Sequence, residues 1–182
     1  RCRIRINYPD HIQPLWEYAR TNLASDMQPA VCTRCHSRTD DLAQPMVPAG
    51  QLELTSELDN SNNNRIRIRS YLDLFYADVA QVDDGMGNVV DCTVDTPVFN
   101  DDGEPVLDEN GIQVVETDFC PATEGPYVSP NGALASSRFF NLFGTGGSHE
   151  DYLHPAELRL IAEWLDIGGQ YYNDLGEAPE AN

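Results

Sequence analysis

Residues Cys32-Thr33-Arg34-Cys35-His36 constrain this chain more than any other stretch. In the pattern Cys-x-x-Cys-His, two thiols add to the vinyl groups of a haem and the following histidine ligates its iron. Two intervening residues make one tight turn, which sets both sulfurs against one porphyrin edge and leaves the imidazole under the metal. A bare Cys-x-x-Cys is also half of a zinc site or a redox dithiol. Zinc needs a second ligand pair at similar spacing, and Cys2, Cys92 and Cys120 form none. A thioredoxin-like dithiol follows a strand inside a βαβ pattern, and none is legible here. The expected cofactor is therefore one haem c, with Cys32 and Cys35 as thioether positions and His36 as the proximal iron ligand.

At 182 residues the chain is long enough for one domain with a real core, and a second would be cramped. We expect a single domain over 1–182, with an excursion over 79–126. Eleven Lys and Arg against thirty Asp and Glu give a net charge of −19. Phosphate binding depends on clustered cations, so a nucleic-acid role is disfavoured. A charge-steered partner should carry a basic patch or a haem-edge docking surface, and redox proteins or neighbouring haem domains are the expected partners. No apolar run approaches a membrane span. Covalent haem is attached outside the cytoplasm, so a periplasmic or extracellular location, an export signal upstream and a larger parent protein are expected. In an oxidising compartment Cys92 and Cys120 bracket the excursion and are the expected disulfide, on sequence proximity alone. Cys2 paired with either of them is the competing connectivity.

Along the chain, Ile4 and Ile6 alternate with arginines as in a strand. Pro9 and Asp10 then mark a helix start. Ile12, Leu15, Trp16, Ala19 and Leu23 recur at helical spacing, and this N-terminal helix is expected to end near Asn22 to Asp26. Thr39 to Ser61 reads as loop, with Leu52 and Leu54 in one short extended piece, and the tract Asp59–Asn64 reads as a surface turn or linker. Ser70 is expected to cap a short helix containing Leu72, Leu74 and Phe75. Ser136-Ser137 is expected to cap another with Phe139, Phe140 and Phe143. Pro155 starts the C-terminal helix, in which Leu158, Ile161, Ala162 and Leu165 keep helical spacing until Gly168-Gly169.

Between Val79 and Pro126 helical periodicity vanishes. The pairs Asp84-Gly85, Asp102-Gly103 and Asn110-Gly111 punctuate short Val-rich segments, which reads as an acidic β-hairpin region inserted into a helical domain. It contains many carboxylates, among them Asp83, Asp84, Asp91, Asp95, Asp101, Asp102, Glu104, Asp108 and Glu109. A solvated acidic surface is the expected reading, with calcium the alternative ligand there, because the twelve-residue calcium loop with its terminal glutamate is absent.

The order of N-terminal helix, Cys-x-x-Cys-His, long loops and amphipathic C-terminal helix is similar to the class I c-type cytochromes. That resemblance implies a mainly α, cytochrome c-like helical domain with the inserted acidic β-hairpin region added. In the family a methionine loop shortly before the C-terminal helix supplies the distal ligand. Here that slot contains Gly146-Gly147-Ser148-His149, and no methionine follows Met86. The departure points to bis-histidine ligation by His36 and His149, with His11 the alternative ligand, followed by His154 and by the methionines Met27, Met46 and Met86 or an open site. The stretches Asn7–Pro14, Val47–Leu52 and Glu157–Asp166 further resemble the C-terminal cytochrome domain of large exported proteins related to the hydrazine synthase alpha subunit. That resemblance implies a haem that relays electrons rather than performing chemistry. The expected function is electron transfer by a low-spin haem in a larger exported redox protein, not enzymatic turnover. The alternatives are a peroxidase-like or nitrogen-oxide haem enzyme with an open distal site, and a haem-bearing assembly subunit that forms a homo-oligomer.

Overall fold

The computed structural model describes residues 5–21, 29–59, 66–76, 79–120 and 125–173. Its N-terminal segment begins helically but not for long. Tyr8–Ile12 winds as a wide π-helical turn that runs into α1, Gln13–Glu17. Tyr18 is already extended, at φ −71° and ψ 124°. Arg20 and Ala30 then exchange both backbone hydrogen bonds, at 3.0 and 2.8 Å. The helical spacing of Ile12, Leu15 and Trp16 therefore serves five residues of α-helix, and the expected end near Asn22–Asp26 lies outside the described residues.

The mainly α, cytochrome c-like fold is overturned. Among the described residues four short α-helices are interleaved with three two-stranded antiparallel sheets. The helices are α1, α2 (Arg69–Phe75), α3 (Ser137–Asn141) and α4 (Pro155–Asp166). The strands are β1 (Leu58–Asp59) with β2 (Arg67–Ile68), β3 (Gln81–Asp83) with β4 (Val89–Asp91), and β5 (Thr93–Pro97) with β6 (Val115–Phe119). Only α4 has enough uninterrupted apolar spacing and terminal signals to run for twelve residues. His154 Nδ1 accepts from the Ala156 N–H at 3.2 Å, and Glu157 accepts the His154 N–H at 2.7 Å. These bonds occupy donors that a helix start leaves orphaned. Gly168 and Gly169, both at positive φ, end the helix, and the absent side chain of Gly169 leaves room for the Phe75 ring.

The core lies between the N-terminal turn and α4. Tyr8, Ile12, Trp16, Ile161, Trp164 and Leu165 are all buried, and Tyr8 packs 5.3 Å from Trp164 and 5.1 Å from Tyr71. A hydrogen-bond chain runs through this apolar mass. Trp16 Nε1 donates to Tyr8 Oη at 3.0 Å, Tyr8 donates to Ser70 Oγ at 2.8 Å, and Ser70 donates to Gln13 Oε1. Gln13 Nε2 in turn donates to the Leu54 carbonyl at 3.0 Å. Ser70 thus caps nothing: it is buried inside α2, and its hydroxyl joins three segments. Ser136 likewise bonds to Ser129 and Gly132 instead of capping α3.

The insert has an organisation that turn pairs alone do not predict. Ala80, Cys92 and Cys120 close a ring of three backbone hydrogen bonds, and Val98, Val106 and Val114 close another. Each ring joins three extended arms, and the β5–β6 ribbon connects the two rings. The Cys92–Cys120 disulfide sits at the first ring, with Cα atoms 5.3 Å apart. Cys2 lies outside the described residues. The arms end in one repeated five-residue loop, at 84–88, 100–104 and 108–112. In each, Oδ1 of the leading Asp84, Asn100 or Asp108 accepts the backbone N–H groups two and four residues on, at 2.7–3.1 Å. Asp40 builds the same loop in the body, over 40–44.

Candidate functional site

Cys32 to His36 begins with a 3-10 turn over Cys32–Arg34, and the N–H groups of Cys35 and His36 both point to the Cys32 carbonyl, at 3.3 and 3.1 Å. Two contacts fix this turn to the body. The Arg20–Ala30 pairing precedes it, and the Arg20 guanidinium makes a bidentate ion pair with Glu157 at 2.7 and 3.1 Å. Arg20 is 7% exposed, so this pair ties the Cys32 segment to the first turn of α4 away from water. Burial pushes the Cys32 thiol up to about 11, against the opposing pull of Arg20.

His36 is held from behind. Its Nδ1 lies 3.0 Å from the Leu52 carbonyl, and its own carbonyl accepts the Leu54 N–H at 2.8 Å. The Leu52–Leu54 segment is anchored by Glu53, which is 1% exposed and accepts from Arg38 at 2.9 Å and Thr55 at 2.6 Å. Donation from Nδ1–H to a carbonyl selects the tautomer whose Nε2 lone pair is free to ligate.

His149 arrives from the opposite wall. Gly147 lies so close to the end of α3 that an added Cβ would collide with the carbonyl oxygens of Asn141 and Leu142, and the His149 N–H donates to Leu142 at 2.8 Å. Its ring packs against Phe143 and Tyr152, and its Nδ1 is 2.9 Å from Ser148 Oγ. The His36 and His149 ring centroids are 5.9 Å apart with their planes 34° from parallel. Desolvation lowers the pKa of both rings, and the neighbouring His149 lowers that of His36 further. Both are therefore neutral at pH 7, the form that binds metal.

Cys32, Cys35, His36 and His149 all line one cavity of about 440 Å³, walled by apolar side chains such as Trp16, Leu52, Phe139 and Phe143. Arg138, an exposed residue, also lines it. The other expected ligands are elsewhere. His11 is exposed and its Nδ1 accepts from the Asn7 N–H at 3.1 Å. His154 is the cap of α4, Met86 is 86% exposed at a loop of the insert, Met46 does not line the cavity, and Met27 lies outside the described residues.

The cofactor expectations, haem c and calcium, are corrected: the described residues form no metal-binding group for either. Among the described residues no group of three or more His, Cys, Asp or Glu is placed to hold a metal ion. The reason is plain in the insert, where Asp84 and Asp108 turn their oxygens onto their own backbones instead of toward a shared calcium. In the cavity the chain offers two imidazoles, which hold an iron only when another molecule completes its coordination shell. The residues present fit such a molecule. Two imidazoles that each bound one metal at about 2 Å would have ring centroids roughly 5–6 Å apart, in keeping with the 5.9 Å found. The volume is in the range of about 300–1,000 Å³ common to cofactor sites. Both thiols are unpaired by any disulfide.

The sequence did not disclose the Leu52 carbonyl behind His36 or the Arg20–Glu157 tie. Each joins residues far apart in the chain, and nothing in local spacing marks them. No protein-family model, curated protein or solved structure matches the chain. Among the described residues no helix is long and apolar enough to cross a membrane.

Proposed function

We propose that this chain transfers single electrons through a haem bound covalently at Cys32 and Cys35 and ligated by His36 and His149. One observation carries the reading: the two histidines of an attachment motif and a remote glycine-rich loop face each other at 5.9 Å across an apolar cavity that also contains both thiols. The bound group supplies a reversible one-electron couple. The chain supplies the rest. Cys32 and Cys35 fix the group in place, and the Leu52 carbonyl holds His36 in its ligating tautomer. Leu142 holds the backbone of His149 in place, Ser148 hydrogen-bonds its ring, and the apolar walls would exclude water and small oxidants from the bound group. Among the described residues no carboxylate lines the cavity, which favours electron relay over turnover. Export to an oxidising compartment belongs to the same reading, and so does work as one module of a larger redox assembly.

The test is ferric absorption and electron paramagnetic resonance on the protein produced with a haem-attachment system, beside His149→Ala. The expected result is a low-spin spectrum in the parent and a high-spin one in His149→Ala. A parent that carries no covalent haem, or one that is already high-spin and binds carbon monoxide readily, overturns the reading. In the latter case an open-site haem enzyme takes its place.

A further inference from the structure

Away from the cavity, the β5–β6 ribbon leaves its own surface unfinished. Every residue of both strands is exposed. The register Thr93↔Phe119, Asp95↔Thr117, Pro97↔Val115 puts these six residues on one face, with Phe119 64% and Val115 47% exposed. On the opposite face Val94, 53% exposed, lies opposite Asp118, and Thr96 lies opposite Glu116. Each strand pairs along one edge only among the described residues. A two-stranded ribbon is marginal in water and gains stability from a third strand. An open, apolar edge is a template for one. Clustered apolar exposure of this kind marks an interaction site.

Charge decides what pairs there. No Lys or Arg occurs between Val79 and Pro126, and Asp91, Asp95, Glu116 and Asp118 line or adjoin the ribbon. A second copy of the same ribbon would bring carboxylates against carboxylates, which costs free energy. We propose that the ribbon is the docking surface for an extended segment of a different protein, one in which cationic and apolar side chains alternate. That segment adds a strand to β5 or β6 by main-chain hydrogen bonds, places its apolar side chains on Phe119 and Val115, and pairs its cations with the flanking carboxylates. Five residues of strand span about 17 Å, so a short segment suffices. The inference stands on the ribbon alone and does not depend on the redox reading.

The experiment is fluorescence anisotropy on the full chain, disulfide intact, with two labelled peptides of identical composition. One has strictly alternating Lys and Val, and the other has its Lys and Val in separate blocks. Expected are binding of the alternating peptide about tenfold or more tighter than the block peptide, weakening as salt is raised, and loss in Glu116→Lys/Asp118→Lys. Val115→Ser/Phe119→Ser should also lose it. Far-UV circular dichroism checks that each variant keeps its strands, and if the serine variant unfolds, the charge-reversal variant decides. Equal binding of both peptides, no binding at low ionic strength, or unchanged binding by a folded variant overturns the proposal. Sedimentation of the unliganded chain as a dimer that the serine variant dissolves also overturns it, because the occupant is then a second copy.

Discussion

Gly147 and Tyr8 act at the scale of single atoms, and each does so through a neighbour that the sequence places far from it or gives no reason to suspect. At Gly147 one added methyl would meet the carbonyl oxygens of Asn141 and Leu142. The loop must then lift off α3, and the His149 N–H loses Leu142. Gly147→Ala in the haem-loaded protein is accordingly expected to reproduce the high-spin spectrum of His149→Ala, whereas Ser148→Ala, which leaves the backbone approach intact, keeps the low-spin form. Tyr8 is fully buried, and burial raises its pKa above the usual tyrosine range. Its hydroxyl joins Trp16 to Ser70, so Tyr8→Phe leaves a buried indole N–H without its acceptor and Ser70 with only its bond to Gln13. The expected cost is about 1–3 kcal/mol, read as a lower urea midpoint with unchanged slope.

The elements are short because their ends are strongly specified. α4 runs for its full apolar stretch between His154 and Gly168, and α1 stops where Tyr18 turns extended. In the insert the leading Asp or Asn of each loop does by side chain what a longer strand does by pairing. Hydrogen bonds to Asp84, first from the Asn88 side chain and then from backbone N–H groups, lower its pKa, and at Asp108 the Ile112 and Asn110 N–H groups do the same. A carboxylate depressed in the folded state contributes its stabilisation above the ordinary value of 3.8 and loses it as pH falls through the depressed one. Amide resonances of Met86, Asn88, Asn110 and Ile112 should therefore titrate with midpoints below 3.8. In Asp108→Ala those of the 108–112 loop should show no such step while the 84–88 loop keeps its own.

At the scale of the whole molecule, the body and the insert are stabilised differently. Both tryptophans lie in the body's core, whereas the β5–β6 ribbon is exposed throughout and the disulfide closes its base. A cross-link spanning about 28 residues is worth roughly 3–4 kcal/mol in the chain-entropy account, and here that effect falls on the insert. Replacing Cys92 and Cys120 by serine should increase proteolysis within 79–120 and leave the urea midpoint of tryptophan fluorescence unchanged. A matching drop in that midpoint would show one cooperative unit instead.

What the sequence determined by itself is local: the Cys32–His36 turn, α4 between Pro155 and Gly168, and the turn-rich, cation-free insert, each written in neighbouring residues. Helical spacing over Ile12–Leu23 misled, because Tyr18 and the Arg20–Ala30 pairing interrupt it, and the helical class expected from element order failed with it. Only the tertiary structure decided that His149, rather than His11 or His154, faces His36, and that Leu52 and the Arg20–Glu157 pair hold the site together. Those contacts join segments up to 137 positions apart. They depend on how buried surfaces pack, and no spacing within the chain encodes them.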